Sequence, residues 1–268
     1  MGKKVVNILK NKDINYLIEE KSADMLNLNE KGADFTLLRE KSDIILLFGG
    51  DGTFLHTAHY FAGTDIPLLG INLGSLGFMT EIEVDQFEKA LSVIIDGDYT
   101  IEKRMMLEAR VFRDSHEVFH SYALNDVVIN RASNAHLINI NLQINDEFIN
   151  QYSGDGLILA TPTGSTAYSL SAGGPIINPK IRAILITPIC PHSLHIRPMV
   201  ISEEEKIDIV VSGEEKKMNI ATDGRFDYDL MSGDQISISV SDNDISLIKL
   251  PDRTFYTILR EKMRVGLV

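Results

Sequence analysis

Apolar and polar positions follow one pattern up to about residue 100 and a different pattern after it. In the first part, short apolar runs take turns with stretches whose apolar residues recur at helical spacing, which predicts an α/β domain. The predicted strands are Val5–Leu9, Phe35–Leu38, Ile44–Phe48 and Ile66–Ile71. The predicted helices are Ile14–Leu26, Phe54–Ala62 and a third helix that has Asp85 as its N-cap, has Glu88 three residues on, and ends before Gly97.

From about Lys103 the helical spacing disappears, and short alternating or β-branched runs follow one another. Asn, Asp, Gly and Ser separate these runs, with turn signals at Asn145-Asp146, Ser212-Gly213 and Ser232-Gly233. This pattern predicts a second, β-rich domain. The predicted strands are Met106–Phe112, Val118–Leu124, Val127–Asn130, Leu137–Ile144, Leu157–Ala160, Leu194–Ile201, Ile207–Val211 and Ile236–Val240.

These two patterns, together with a short helical pattern near the C-terminus, divide the chain into three segments. We expect an α/β domain over residues 1–100, a β-rich domain over residues 101–250, and a C-terminal segment over residues 251–268 that packs back on the body. In the last segment Asp252 is placed to cap a short helix whose apolar residues share one face.

Composition and charge exclude several classes of protein. The 268 residues are 44% hydrophobic, and 26 basic against 38 acidic residues give a net charge of −12. This charge argues against nucleic-acid binding and against docking on an anionic membrane, and no apolar run is long enough to cross a bilayer. The single cysteine, Cys190, cannot form an internal disulfide, and no signal-peptide pattern is present. We therefore expect a cytoplasmic protein.

The stretch Gly49-Gly50-Asp51-Gly52-Thr53 lies where the apolar run Ile44–Phe48 ends and a helical pattern begins. Glycines let the backbone approach a ligand closely, and the first N–H groups of a helix attract anions, so the stretch predicts a phosphate-binding turn. A carboxylate there would orient a hydroxyl for attack on phosphorus or accept its proton. On spacing alone, a tight turn with Asp51 as a helix cap explains the residues equally well.

A second loop carries a stronger signal. After Ser153-Gly154-Asp155-Gly156 and the strand Leu157–Ala160, residues Thr161–Pro175 combine hydroxyl groups, glycines and one aromatic ring, that of Tyr168. This set suits the base, ribose and phosphates of a nucleotide, and a Ser/Thr-rich surface turn is the alternative. By contrast, the string from His116 to His120 matches a zinc-protease motif only in letters, because its context predicts a β-hairpin rather than a helix.

Five motifs together resemble the NAD kinase family over nearly the whole chain: Gly49–Thr53, Asn125-Asp126, Asp155-Gly156, Thr161–Pro175 and Thr187–Leu194. The first string alone is shared with lipid kinases of the diacylglycerol kinase type and loosely with 6-phosphofructokinases, whereas the long loop is specific. The resemblance implies a Rossmann-like N-terminal domain and a β-sandwich-like C-terminal domain. It also implies an enzyme that uses ATP, with Mg²⁺ or another divalent metal, to phosphorylate the 2′-hydroxyl of the adenosine ribose of NAD, giving NADP.

The resemblance also implies roles for single residues. Asp51 would contact the ribose and accept the proton of its hydroxyl, Phe78 would pack near the adenosine, and no protein metal ligands are implied. The asparagine–acid pair of the family, which binds adenine or ribose hydroxyls, has Asp here rather than the frequent Glu. The substrate-binding positions around Asp51 are therefore Gly50, Gly52, Thr53, Phe78, Asn125 and Asp126.

Other positions complete the dinucleotide site in the family, partly across a subunit interface, which implies a homodimer or homotetramer. They are Asp155, Thr166, Ala167, Tyr168, Ser169, Leu170 and Ser171. Four more align by spacing only: His56, His136, Ser153 and Arg225. His56 fits an exposed helix position as well as a ligand contact, and His136 better fits a strand-end surface residue. Ser153 stands where the family often has a basic residue, so pyrophosphate contact would be weaker or come from another residue.

The active site is expected in the crevice between the two domains. Two alternatives from other classes remain. A lipid kinase would lack the Thr161–Pro175 loop and would need an apolar or basic face for membrane docking. A non-catalytic NAD(P)-binding sensor would not need the carboxylate of Asp51.

Overall fold

The computed structural model describes residues 2–74, 77–131, 137–213, 218–251 and 253–264, which form two compact units. The first unit comprises residues 1–102 and 245–268, and the second comprises residues 103–244. The predicted fold class is confirmed. The first unit has helices around a sheet with parallel strands, and the second is built from antiparallel sheets.

The first stretch of the chain, which begins the first unit, alternates helices with short strands. Its helices are α1 (Gly2–Asn11), α2 (Glu20–Leu26), α3 (Phe35–Lys41), α4 (Asp51–Phe61) and α5 (Phe87–Ile95), with 3₁₀ turns at Asn29–Lys31 and Val84–Gln86. Its strands are β1 (Ile18–Glu19), β2 (Gly32–Ala33), β3 (Ile45–Phe48), β4 (Leu68–Asn72), β5 (Thr80–Glu83) and β6 (Thr100–Arg104). Strand β4 lies between β3 and β5 in parallel pairing and is buried along its whole length, as expected for a strand covered on both faces.

The second unit contains two six-stranded antiparallel sheets and the one-turn helix α6 (Tyr168–Ser171). The strand orders are β11-β10-β15-β18-β7-β8 and β14-β13-β12-β9-β16-β17. Apolar residues from both sheets, such as Val111 and Ile129, form one core, which makes the unit sandwich-like. The strands are β7 (Leu107–Arg113), β8 (His116–Ala123), β9 (Asp126–Arg131), β10 (Ile138–Ile144), β11 (Glu147–Gly154), β12 (Gly156–Ala160), β13 (Ala183–Ile189), β14 (Met199–Ser202), β15 (Ile207–Ser212), β16 (Met218–Thr222), β17 (Arg225–Leu230) and β18 (Gln235–Val240).

The chain then returns to the first unit through β19 (Ile245–Lys249) and α7 (Phe255–Arg264). Strand β19 pairs in parallel with β4, with Leu247 opposite Leu68. The buried carboxylate of Glu81 accepts the backbone N–H of Leu250 at 3.0 Å and pairs with Lys249, and Arg253 donates to the carbonyl oxygen of Glu81. Glu81 thus fixes the returning chain. Asp252, the predicted helix cap, lies outside the described residues.

Two predicted strands in the first unit are wrong, because both segments are helices. Val5–Leu9 belongs to α1, where Val5, Val6 and Leu9 are buried on one helical face. Phe35–Leu38 belongs to α3, whose N-cap Asp34 accepts the N–H of Leu37 at 2.7 Å. In both places β-branched or aromatic residues suggested a strand, but the helical spacing and the cap decide the structure.

Three smaller differences concern element ends. The capping box before α5 is formed by Glu83 and Gln86 rather than by Asp85 and Glu88. The predicted helix Ile14–Leu26 is helical only from Glu20. The predicted strand Leu194–Ile201 is extended in the sheet only from Met199, because the residue before it is a proline, which cannot donate to a strand ladder.

Across the ranges that the structure describes, no helix is both long and apolar enough to cross a membrane.

Candidate active site

The phosphate turn connects β3 to α4. The N–H of Gly49 donates to the carbonyl oxygen of Ile71 at 2.9 Å, which holds the turn against β4. Gly50 is the N-cap of α4, and a Cβ placed at Gly50 or Gly52 would meet no atom within 4 Å in the described part of the chain. These two glycines therefore leave open space beside the first N–H groups of the helix, and Thr53 in the same turn is exposed.

The carboxylate of Asp51 does not cap its own helix. Its Oδ2 accepts the N–H of Phe78 at 2.9 Å, and its Oδ1 accepts the N–H of Met79 at 3.1 Å. The cap position belongs to Gly50, so the alternative of Asp51 as a plain helix cap is wrong. The structure brings Asp51 and the half-buried Phe78 together, two residues for which a shared site was predicted.

The Asn125-Asp126 pair is held from one side by a residue that sequence reasoning missed. The carboxylate of Asp223 accepts three successive backbone N–H groups, from Leu124 at 2.9 Å, Asn125 at 2.7 Å and Asp126 at 3.2 Å. Asp223 has a left-handed φ of 51° in the hairpin turn between β16 and β17. The Asp-Gly dipeptide predicts such a turn, but nothing local in the sequence indicates that its carboxylate reaches another strand.

Both members of the pair are buried, and each has an unusual polar environment. Within the described part of the chain, no group bonds to Oδ1 of Asn125. Burial and the neighbouring charge of Asp223 raise the pKa of Asp126 to about 7, although the N–H of Tyr168 donates to its carboxylate and acts in the opposite direction. An orphaned buried acceptor and a carboxyl group that titrates near neutrality are typical of a ligand site.

Because the pKa of Asp126 is raised, the free energy of unfolding should depend on pH. Between its ordinary value of 3.8 and about 7, the folded chain holds a proton that the unfolded chain releases. The protonated Asp126 therefore contributes fully to the free energy of unfolding below about pH 4. This contribution is lost as the pH rises through 7. We expect Asp126→Asn to become more stable relative to the parent from pH 5 to pH 8, as measured by urea unfolding. Parallel stability curves for the two proteins would contradict the raised pKa.

The Thr161–Pro175 loop rests directly on the Asn125-Asp126 pair. Thr161 donates its hydroxyl to the carbonyl oxygen of Leu124 at 2.6 Å and its N–H to that of Asn125 at 2.9 Å. A Cβ on Gly164 would lie 2.1 Å from the carbonyl oxygen of Asn125, so only glycine allows this close approach. The loop is thus a packed structure, not a solvated turn.

The predicted binding residues of this loop differ in exposure. Tyr168 is 43% exposed, whereas Ser169 is buried, with its hydroxyl 2.8 Å from that of Thr187. Ser169 therefore has a clear role inside the loop, and direct ligand contact by it stays a prediction. The remaining predicted positions are half-buried or exposed, namely Thr166, Ala167, Leu170 and Ser171.

Asp155 forms an ion pair that the sequence did not indicate. Its Oδ1 lies 2.8 Å from Nε of Arg131, and the N–H of Arg131 donates to its carbonyl oxygen at 3.0 Å. Ser153, two residues away, directs its hydroxyl to Oδ1 of Asn139. The ion pair thus places the guanidinium of Arg131 beside Asp155, two residues along the chain from Ser153.

For the residues that align with ligand-contacting positions by spacing alone, the structure gives less information about a role in binding. His56 is exposed on α4, with its ring edge-on to that of Tyr60 at 5.6 Å. Arg225 is exposed at the start of β17. His136 lies outside the described residues, so its predicted surface position stays a prediction.

No group of three or more His, Cys, Asp or Glu side chains in the described ranges is arranged to hold a metal ion. His116 and His120 both lie on β8, where residues four apart are separated by about 13 Å along the strand. The prediction that this string is a β-hairpin rather than a zinc motif is confirmed.

Comparison with known proteins identifies the family. The sequence profile of the ATP-NAD kinase N-terminal domain matches residues 3–99, and that of the ATP-NAD kinase C-terminal domain matches residues 124–250. The chain belongs to the ATP-NAD kinase family. It is 40% identical to the NAD kinase of Desulforamulus reducens over 98% of this chain and 91% of the relative. It is 46% identical to that of Heliobacterium modesticaldum over 84% and 79% of the two chains.

Solved structures of this family share the fold. Yeast NADH kinase complexed with NADH has a TM-score of 0.87 and 29% identity, with 97% of this chain and 82% of that chain covered. An NAD kinase from Archaeoglobus fulgidus in complex with ATP has a TM-score of 0.73 and 25% identity, with 98% and 94% covered. The family predicted from the motifs is thus confirmed, and the lipid-kinase and sensor alternatives are set aside.

Proposed function

We propose that this chain transfers the γ-phosphoryl group of ATP to the 2′-hydroxyl of the adenosine ribose of NAD, with Asp51 as the proton acceptor. Its assignment as a kinase that phosphorylates NAD follows from its family. The observation that carries the role of Asp51 is its carboxylate, held beside the N-terminus of α4 by the N–H groups of Phe78 and Met79.

The held carboxylate remains able to accept a proton. Each carboxylate oxygen has a second lone pair, so the oxygens that accept the N–H groups of Phe78 and Met79 can also accept a ribose hydroxyl. The open side of Gly50 and Gly52 gives phosphate oxygens access to the N–H groups of the turn. Since phosphoryl transfer has a loose transition state, this positioning should contribute more than the base strength of the carboxylate.

The oxygen donors at the phosphate turn suit a divalent metal ion that is coordinated mainly by the phosphates of ATP. Mg²⁺ keeps several waters and is usually held by one or two carboxylates together with substrate phosphates. At the turn, Asp51 offers a carboxylate, and Thr53, an exposed residue, offers a hydroxyl. The ion would neutralise charge on the transferred phosphoryl group.

The dinucleotide would be recognised by the residues around the Asn125-Asp126 pair. The unpartnered Oδ1 of Asn125 would accept an N–H or O–H of the adenosine, and the exposed ring of Tyr168 would provide a stacking surface. We further propose that part of this site, including Asp155, is completed by a second copy of the chain in a homodimer or homotetramer, and that the enzyme works in the cytoplasm.

The test is to incubate the protein with NAD, ATP and Mg²⁺ and to measure NADP with an NADP-specific dehydrogenase. We expect product with NAD and none with its 2′-deoxyadenosine analogue, which should still bind as a competitive inhibitor because it lacks only the acceptor hydroxyl. A new phosphate on the analogue would show that another hydroxyl is the acceptor.

A further inference from the structure

A turn formed by residues 77–79 makes an unusually close approach to Asp51. Gly77 is buried, and a Cβ placed on it would lie 1.9 Å from Oδ1 and 2.5 Å from Cγ of Asp51. Both distances are far below any allowed contact of non-bonded atoms. Any side chain at residue 77 would therefore force the carboxylate of Asp51 out of its observed position.

The backbone conformation does not by itself require glycine at residue 77. Among the described glycines, those with positive φ angles lie between 70° and 94°, and Gly77 is not one of them; they are Gly63, Gly97, Gly173, Gly224 and Gly233. A left-handed φ angle is therefore not the reason for glycine at residue 77. Glycine is needed because any side chain at residue 77 would occupy the space of the Asp51 carboxylate.

The turn is anchored on its other side by a strand. The N–H of Gly77 donates to the hydroxyl of Thr80 at 3.0 Å, and Thr80 is buried at the start of β5. The next two N–H groups, of Phe78 and Met79, bind one carboxylate oxygen each. Asp51 itself is the first residue of α4. The carboxylate is thus fixed at two oxygens between a strand and a helix.

We propose that Gly77 is a positioning residue for Asp51: its missing side chain lets the carboxylate dock on the 77–79 backbone in the orientation that receives the ribose hydroxyl. This inference rests on the proposed role of Asp51. A carboxylate displaced by a methyl group would lose one or both N–H donors and its orientation toward the acceptor hydroxyl. This loss would lower the rate of phosphoryl transfer more than the binding of either substrate.

The test is a double-mutant cycle with Gly77→Ala, Asp51→Ala and the double variant. We expect Gly77→Ala to lower the free energy of unfolding in the parent and to have little effect in the Asp51→Ala background, because the vacated space accepts the methyl group. We expect Gly77→Ala to lower kcat at least about 10-fold, to change the KM for NAD and ATP less than about 3-fold, and to cause no further loss in the Asp51→Ala background.

Gly74→Ala is the matched control. It places the same methyl group in the same loop, where a Cβ meets no atom of the described residues within 4 Å, so kcat should stay within about 2-fold of the parent. If Gly77→Ala does not fold, recovery of folding in the double variant supports the contact and its absence overturns it.

Two results from folded variants would also overturn the proposal. One is equal destabilisation by Gly77→Ala in both backgrounds, and the other is a parent-like kcat in Gly77→Ala despite a coupled loss of stability. If Asp51→Ala itself keeps a parent-like kcat, the proposed role of Asp51 fails and this inference with it. The coupling between Gly77→Ala and Asp51→Ala in the free energy of unfolding does not depend on activity. It therefore distinguishes a wrong role for Asp51, in which the coupling remains, from an absent contact between the two residues, in which it is lost.

Discussion

Asp51→Asn is expected to reduce kcat for NAD phosphorylation by at least about 100-fold. The amide cannot accept the proton of the ribose hydroxyl. It also has a single acceptor oxygen where the carboxylate uses two, so the N–H of Phe78 or of Met79 would face an amide N–H₂ group. Steady-state kinetics would give kcat, and calorimetry on the same variant would give the Kd for NAD, which should change only a few-fold.

Asp43→Asn provides the control for this substitution. It makes the same chemical change at an exposed aspartate just before β3, and its kcat should match that of the parent. Should Asp51→Asn keep a kcat within a few-fold of the parent, Asp51 would serve only to fix the 77–79 turn, and its role as proton acceptor would be wrong.

The parts of the fold that sequence predicts well are those in which burial and local spacing agree. The run Ile44–Phe48 forms a strand from Ile45 on, and the helix after it begins at the phosphate turn, because apolar residues and glycines both mark the boundary. The Asn145-Asp146 turn is also predictable, since both residues adopt the left-handed φ angles, 50° and 65°, that this dipeptide tolerates. In Val5–Leu9, by contrast, β propensity and helical spacing conflict, and spacing decides the structure.

The candidate site is predictable only as far as its motifs extend along the chain. The motifs indicate Asp51, Asn125 and Asp155, but the groups that hold them come from distant segments. Asp223 fixes the backbone of Asn125, and Arg131 pairs with Asp155. Such contacts are set by the pairing of β9 with β12 and β16, which no local pattern in the sequence reveals.

A shared dinucleotide site makes a second strong prediction, namely recovery of activity when two inactive variants are mixed. We expect Asp51→Asn and Asp155→Ala each to be inactive alone, because each lacks one group of every site. If a site takes Asp51 from one chain and Asp155 from another, a mixed dimer has one complete site. After full exchange of equal amounts, half of the dimers are mixed, so about a quarter of the parent activity should return.

A second mixture separates a shared site from a site within one chain. When the double variant Asp51→Asn/Asp155→Ala is exchanged with the parent, a shared site leaves about a quarter of the sites complete, whereas a site within one chain leaves about half. Native mass spectrometry would verify exchange, and thermal unfolding would show that removing the partner of Arg131 leaves the Asp155→Ala chain folded. Verified exchange with no recovered activity in the first mixture, and half of the parent activity in the second, would place Asp51 and Asp155 of each site on the same chain.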